Sequence, residues 1–167
     1  MTRSQNKIKS TEDIQRIIER IAHQVYENNL EQNTLVIAGI APGGERLGKL
    51  LKEAISRISD LDLTFVTLYL DKANPKDSVK SSLTLEKLEN QSIVVVDDVL
   101  NTGKTLIYAV HYFLQIPIKK INTVVMVNRN HKEFPVKADF KGISLSTSIN
   151  EHVDVVLEGS KSGIYLS

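Results

Sequence analysis

Two adjacent acids, Asp97 and Asp98, end the branched apolar run Ile93-Val94-Val95-Val96. Neighbouring carboxylates repel and need a partner that offsets them. A vicinal diol donates two hydrogen bonds, and a hydrated Mg²⁺ supplies charge and further donors. Thr102-Gly103-Lys104-Thr105 follows at the expected start of a helix. Unpaired backbone N–H groups there, with two hydroxyls, suit a phosphate monoester. Gly103 lets the backbone approach that group closely. A diol-binding pair beside a phosphate cradle describes a ribose 5-phosphate site. The bland alternative is a strand-to-helix turn with Asp and Thr as caps. Paired acids followed by this loop disfavour it.

A second glycine-lysine segment competes for the same chemistry. Gly43-Gly44-Glu45-Arg46-Leu47-Gly48-Lys49 satisfies most of the nucleotide P-loop pattern. The next residue is Leu50, where a Mg²⁺-holding hydroxyl is needed. Leu50 also belongs to an apolar helical stripe, so Gly48 and Lys49 fall inside a helix. An ATPase or GTPase is therefore rejected.

The surrounding elements alternate. Ser10 and Asp13 resemble a capping box, and Ile14, Ile17, Ile18, Ile21 and Val25 recur at helical spacing. Thr34 to Ile40 reads as a buried strand, and the loop Ala41-Pro42-Gly43-Gly44 follows it. Leu47, Leu50, Leu51, Ala54, Ile55 and Ile58 mark a second helix, and Leu63 to Leu70 a second strand. Asp71 to Gln91 reads as a long mobile excursion, the kind that serves as a lid. Ile93 to Val96 is a strand, Leu106, Ala109, Val110 and Phe113 a helix, and Ile121 to Val127 a strand. Shorter strand-like runs follow at Val136–Phe140 and Val153–Leu157. This is an α/β fold with a central parallel sheet and helices on both faces. Ligands bind such sheets at the carboxyl ends of the strands, where loops 41–44 and 97–105 lie.

Composition narrows the classes. The chain has 167 residues, a formal net charge of +1 and no Cys. That length suits one domain burying roughly two-thirds of its unfolded surface. Without Cys there is no disulfide scaffold, thiolate metal site or Cys nucleophile, and a reducing cytoplasm is the expected setting. No apolar run approaches the ~18 residues of a membrane span. The start, from Met1 to Lys7, has no apolar stretch behind it, so no secretory signal is expected. His111 and His152 have no partner at metal-ligand spacing.

The thirteen-residue run from Ile93 to Thr105 resembles the motif by which type I phosphoribosyltransferases bind 5-phosphoribosyl 1-pyrophosphate (PRPP). Across nearly the whole chain the resemblance is to the PyrR-type branch, pyrimidine operon attenuators with uracil phosphoribosyltransferase activity. It rests on Arg20-Ile21-Ala22-His23, on Thr67-Leu68-Tyr69, on the Arg129-x-His131-basic-Glu133-x-Pro135 core and on Ser146-Thr147-Ser148.

The resemblance implies the type I phosphoribosyltransferase fold over residues 1–167, with a flexible lid at 71–91 and a hood-like region at 128–167. Asp97 and Asp98 would be catalytic, holding the ribose hydroxyls and the hydration shell of Mg²⁺. Val99, Leu100, Asn101, Thr102, Gly103, Lys104 and Thr105 would complete the PRPP site, with 100–105 around the 5-phosphate. Ala41, Pro42, Gly43 and Gly44 would form the pyrophosphate loop, Asp71, Lys72 and Lys76 the working part of the lid, and Arg129 the approach to the base. Uracil and UMP would be substrate and product. The protein would be a cytoplasmic homodimer or higher homo-oligomer with no membrane contact.

Two positions depart from the family. Its pyrophosphate loop carries Thr-Arg where this chain has Pro42-Gly43, and its lid begins Tyr-Arg-Asp-Asp where this chain has Tyr69-Leu70-Asp71-Lys72. Arg46, Lys72 or Lys76 are the available replacements, the lysines as point charges without a fork. Asn101 cannot take a proton, which counts against a purine transferase.

PyrR-type proteins also bind an RNA hairpin, which the resemblance carries onto Arg20, His23, Lys132 and Lys137. The stretch 119–141 is basic, with Lys119, Lys120, Arg129, Lys132, Lys137 and Lys141 against Glu133 and Asp139. His23 reads equally as a plain helix-surface residue. The alternatives to an efficient uracil transferase are an RNA attenuator, or a PRPP or UMP sensor, with weak or no catalysis.

Overall fold

Ser10 starts the first helix as its spacing predicts. Its hydroxyl accepts from the Asp13 N–H at 3.2 Å, and the Asp13 carboxylate accepts from the Ser10 N–H at 2.9 Å. Both ends of the capping box are closed, and helix α1 spans Thr11–Glu27. The molecule is described from a computed structural model covering residues 5–76 and 78–167. The first four residues, part of the reading that no secretory signal is present, lie outside the described residues, as does position 77 in the excursion.

The main sheet has six strands in the order β4-β3-β2-β5-β6-β7. These are β2 (Thr34–Ile40), β3 (Asp62–Tyr69), β4 (Lys80–Ser81), β5 (Ser92–Leu100), β6 (Lys120–Asn128) and β7 (Phe140–Ser144). All neighbours pair in parallel except β3 with β4. Helix α2 (Gly43–Ile58) joins β2 to β3, and α3 (Lys104–Phe113) joins β5 to β6.

Alternation along the strands builds two cores. Leu35, Ile37, Val94, Val96, Val124 and Met126 face α1 and α2. Val36, Ala38, Ile40, Ile93, Val95 and Val125 face α3, where Leu106, Ala109 and Phe113 are buried. Helices therefore cover both faces, as the apolar runs require of a parallel sheet. Each fully buried aliphatic side chain contributes about 1.5–3 kcal/mol, so the sheet is a rigid platform for the loops at its carboxyl edge.

The order reverses between β2 and β5. From β2 the chain moves to β3 on one side; from β5 it moves to β6 on the other. Such a switch leaves a crevice at the carboxyl ends of the two central strands. Residues 41–43 leave β2 there, and residues 101–103 leave β5.

Three regions differ from the sequence expectation. The excursion is shorter than 71–91. Ser81 and Lys80 pair with Leu68 and Tyr69, residues 85–88 form a turn of 3₁₀ helix, and Leu88 is 1% exposed. Leu83, Leu85 and Leu88 are spaced too irregularly to show a helix, yet they pack on the α3 face. The strand expected at Val136–Phe140 begins only at Phe140. Val136 and Ala138 instead pack against the α3-side core. Finally, a second sheet, in the order β1-β9-β8, is built from β1 (Asn6–Lys9), β8 (Val153–Val156) and β9 (Gly163–Leu166). Neither β1 nor β9 is long or apolar enough to stand out from its neighbours.

Candidate functional site

The crevice opens into a cavity of about 460 Å³. One wall is the continuous segment 97–105; Lys72 and Arg129 flank it, and His152 with the first three residues of β8 completes the lining. Strand β5 runs four residues further than the apolar run, through Leu100, so both acids belong to the strand rather than to a loop.

Asp97 is 2% exposed. Burial is the main reason its carboxyl is pushed up to about 8; the Lys72 ammonium pulls it back and the neighbouring Asp98 charge adds to the rise. Lys72 Nζ lies 3.6 Å from Asp97 Oδ1. The N–H of Asp98 donates to Asp97 Oδ1 at 2.9 Å, and the N–H of Val99 donates to Asp98 Oδ1 at 2.9 Å. The strand's own amides thus hold both carboxylates. No third acid or His joins them in a metal-binding cluster among the described residues. Two carboxylates, one of them costly to ionise without a countercharge, are a fitting donor set for a Mg²⁺ whose other ligands are waters and ligand oxygens.

Gly103 caps α3 with φ +87°, a left-handed conformation that disfavours residues with a Cβ. A Cβ there would also meet Val136 Cγ1 at 2.6 Å. The Thr102 hydroxyl accepts from the Lys104 N–H at 3.3 Å. The next N–H groups of the first turn have no intrahelical acceptor, an arrangement that suits an anion. The Arg129-to-Pro135 core buttresses this loop from outside. The N–H groups of Glu133 and Phe134 donate to the Thr102 carbonyl at 2.8 and 3.1 Å, and the Arg129 N–H donates to the Leu100 carbonyl at 2.9 Å.

The other expected residues divide between the cavity wall and its surroundings. The Arg129 guanidinium is 6% exposed and already engaged: Nε donates to Thr147 Oγ1 at 3.0 Å, and Nη2 to the carbonyls of Ser148 at 3.2 Å and Glu151 at 2.6 Å. Its side chain fastens the 147–151 segment over the cavity. His131 Nε2 lies 2.6 Å from the Thr147 carbonyl and serves the same segment. Ala41 to Gly44 are not part of the cavity wall. Gly43 opens α2 directly behind Asp98; a Cβ on it would lie 2.0 Å from Asp98 Oδ2. Of the lid residues, Asp71 Oδ1 accepts from the Ala73 N–H at 2.9 Å, and Lys104 Nζ donates to the Ala73 carbonyl at 3.1 Å. Lys76 lines a separate cleft of about 620 Å³ with Tyr108 and Tyr112.

The rejected P-loop lies wholly in α2. Gly48 faces the Phe65 ring, and Lys49 pairs with Glu45 at 2.8 Å. Arg20 donates to the carbonyls of Lys141 and Gly142 on β7, the latter at 2.7 Å. His23, Lys132 and Lys137 are exposed, and His23 Nδ1 contacts the Glu19 carbonyl at 2.8 Å. Sequence reasoning missed the β8 wall. Its His152 Nε2 is 3.1 Å from Asp154 Oδ1. Beginning fifty-five residues beyond Asp98, β8 carries no local motif tying it to the acid pair.

The phosphoribosyl transferase domain family matches residues 4–158. The Bifunctional protein PyrR of Haemophilus ducreyi is 33% identical over 89% of this chain and 87% of its own length. That of Macrococcus caseolyticus is 30% identical over 92% of this chain and 93% of its own. Among solved structures, the hypoxanthine phosphoribosyltransferase of Trypanosoma cruzi superposes with a TM-score of 0.79 at 18% identity, covering 96% of this chain and 95% of that one. The hypoxanthine-guanine phosphoribosyltransferase of Bacillus anthracis gives 0.77 at 14%, covering 97% and 96%. At such low identities these two establish the fold alone. No helix among the described residues is long and apolar enough to cross a membrane.

Proposed function

The chain belongs to the phosphoribosyltransferase family, in its PyrR branch, and from that premise we propose that it transfers ribose 5-phosphate from PRPP to uracil. The reading rests on the acid pair Asp97–Asp98 running into the Gly103-capped start of α3. Asp97 and Asp98 hold the ribose hydroxyls. The first-turn amides of α3, with the Thr102 and Thr105 hydroxyls, hold the 5-phosphate. Arg129 acts at one remove from the base: it fixes the 147–151 segment, whose backbone and the β8 wall form the second sheet's roof over it. Residues 128–167 then serve as the hood and the residues before β4 as the lid, within one domain.

The bond from ribose C1 to the pyrophosphate oxygen breaks, its electron pair leaving with pyrophosphate. N1 of uracil supplies the pair that forms the new bond to C1, and its proton passes to water. Mg²⁺, when bound, offsets charge on the leaving group. The protein contributes no nucleophile: it aligns the two reactants and excludes water from a cationic ribose. Protein given Mg²⁺, PRPP and uracil should form UMP and pyrophosphate, and should not use hypoxanthine or guanine. Turnover of a purine alone overturns the base assignment.

A second activity, RNA regulation in the cytoplasm by a homo-oligomer, is favoured by one observation. Arg20 docks on the β7 backbone beside exposed Lys141, so α1 and the basic 119–141 stretch meet on one surface. Affinity for a pyrimidine-operon leader hairpin should fall steeply with salt. A flat salt response removes this reading.

A further inference from the structure

A uracil that attacks ribose C1 through N1 must also lose the proton that N1 carries. Among the described residues that line the cavity, Asp97, Asp98, His152 and Asp154 have side chains able to take it up. Asp97 and Asp98 are committed to the ribose hydroxyls and the cation in the function proposed above. Asn101, in the same wall, carries an amide that takes no proton, and Lys72, Lys104 and Arg129 are donors. Asp154 is engaged at both oxygens: Oδ2 accepts from Gln5 Nε2 at 3.2 Å, and Oδ1 stands 3.1 Å from His152 Nε2. The remaining acceptor is the His152 ring.

Backbone bonds fix this residue from two directions. Its N–H donates to the Ser167 carbonyl at 2.7 Å, and its carbonyl accepts from the Ser167 N–H at 3.0 Å. The carbonyl just before it, on Glu151, accepts from buried Arg129 at 2.6 Å. Alternation along the chain puts His152 and Asp154 on one side, while Val153 between them is buried in the α1–α2 core. The carboxylate beside Nε2 favours a proton on that nitrogen, which leaves Nδ1 free to accept one. The His152 side chain is 64% exposed, so a proton taken up there has a route to water.

Resting on the function proposed above, we infer that His152 accepts the N1 proton of uracil and that Asp154 is the positioning residue for its ring. The bond from C1 to the pyrophosphate oxygen breaks with its electron pair on the leaving group. The pair on N1 closes the new bond to C1, and the N1 proton moves to His152 Nδ1. The imidazolium so formed stands beside the Asp154 carboxylate and gives a proton to water. Nothing is oxidised or reduced; PRPP and uracil become UMP, pyrophosphate and one released proton. In the reverse direction the same imidazolium returns the proton to N1 as UMP is cleaved. The bond from Arg129 to Glu151 then has a chemical purpose, since it fixes the residue adjoining the acceptor.

The test measures single-turnover formation of the nucleotide from PRPP and Mg²⁺ with uracil or with 5-fluorouracil, whose N1 proton is more acidic because fluorine withdraws electrons. It uses the full chain, His152→Ala and Asp154→Asn. Loss of a general base predicts a ~100-fold slower reaction of uracil in His152→Ala, with calorimetric affinities for PRPP and UMP within about twofold of wild type. The loss should be smaller for 5-fluorouracil, which needs the acceptor less. Asp154→Asn should show the same pattern to a lesser degree. An unchanged uracil rate in His152→Ala overturns the inference, and so do equal losses with the two bases. Weaker UMP binding that matches the rate loss overturns it too, because it makes His152 a structural support of the wall. Wild-type protein that forms no nucleotide from either base refutes the proposed transfer itself, and the role of His152 with it.

Discussion

Two strand-to-helix units sit side by side at the switch point, β2 with α2 and β5 with α3. Both are parallel strands ending at the start of a helix, both use glycine at the join, and each supplies a helix dipole to one crevice. They are finished differently. The β5–α3 unit presents its amides to the cavity, because left-handed Gly103 turns the chain and the 133–136 segment supports it from behind. The start of the β2–α2 unit packs closely against the Asp98 side chain of its neighbour, and residues 41–44 do not line the cavity. Shared topology therefore does not give shared chemistry. On the proposed function the β5–α3 unit carries the monoester by itself, while the start of α2 lies against Asp98 and lines no part of the cavity.

The largest effect is expected from dismantling the self-contained unit. Asp98→Asn combined with Thr105→Ala should abolish both PRPP and UMP binding, with the thermal transition close to wild type. Retained affinity for either ligand would show that the β5–α3 unit is not the anchor.

A glycine exchange separates the two units next. Gly103→Ala forces a Cβ into the left-handed region and against Val136, a cost of about 1–2 kcal/mol in backbone strain alone, readable in denaturant titration. For Gly43→Ala the three atoms nearest the new Cβ all belong to the Asp98 side chain. This exchange should therefore cost less stability than Gly103→Ala while still weakening PRPP, since Asp98 must swing aside. The reverse ranking would mean that the α2 start is the more rigid unit.

A pH dependence tests the acid pair itself. The Asp97 carboxyl rises from the ordinary 3.8 to about 8 on folding, chiefly through burial. Between those values the folded state binds more protons than the unfolded, so this contribution is complete at low pH and disappears as pH rises towards 8. Asp97→Asn, which cannot ionise, should melt at a higher temperature than the parent on the alkaline side, with the gap closing in acid. A gap that widens in acid would contradict the burial argument.

The β5–α3 unit was legible because its chemistry is contiguous: acids, glycine and hydroxyls fall within nine residues. The sheet and its two helix layers were legible from branched runs and 3.6-residue stripes. What escaped was set by contacts between distant segments. Val136 and Ala138 look like strand residues, yet the loop carrying them is held by bonds to Thr102 and by packing on the α3 face. Leu83, Leu85 and Leu88 look like part of a mobile loop, but β4 anchors them. Arg129 reads as a ligand contact by type; it lines the cavity, and its bonds to the distant carbonyls of Ser148 and Glu151 are not visible in the sequence. The close approach of Gly43 to Asp98 joins residues fifty-five positions apart, which no local pattern records.

The small sheet has a consequence for the order in which the molecule assembles. Its central strand β9 pairs with β1, joining Asn6 to Leu166. This is a loop closure over nearly the whole described chain, and entropy delays such closures until the intervening segments are compact. β8 is held in this sheet only through β9. The wall that faces the acid pair is therefore the last part to form and, having only short strands, the first to open. Amide exchange should see it fluctuate while the parallel sheet beneath stays protected.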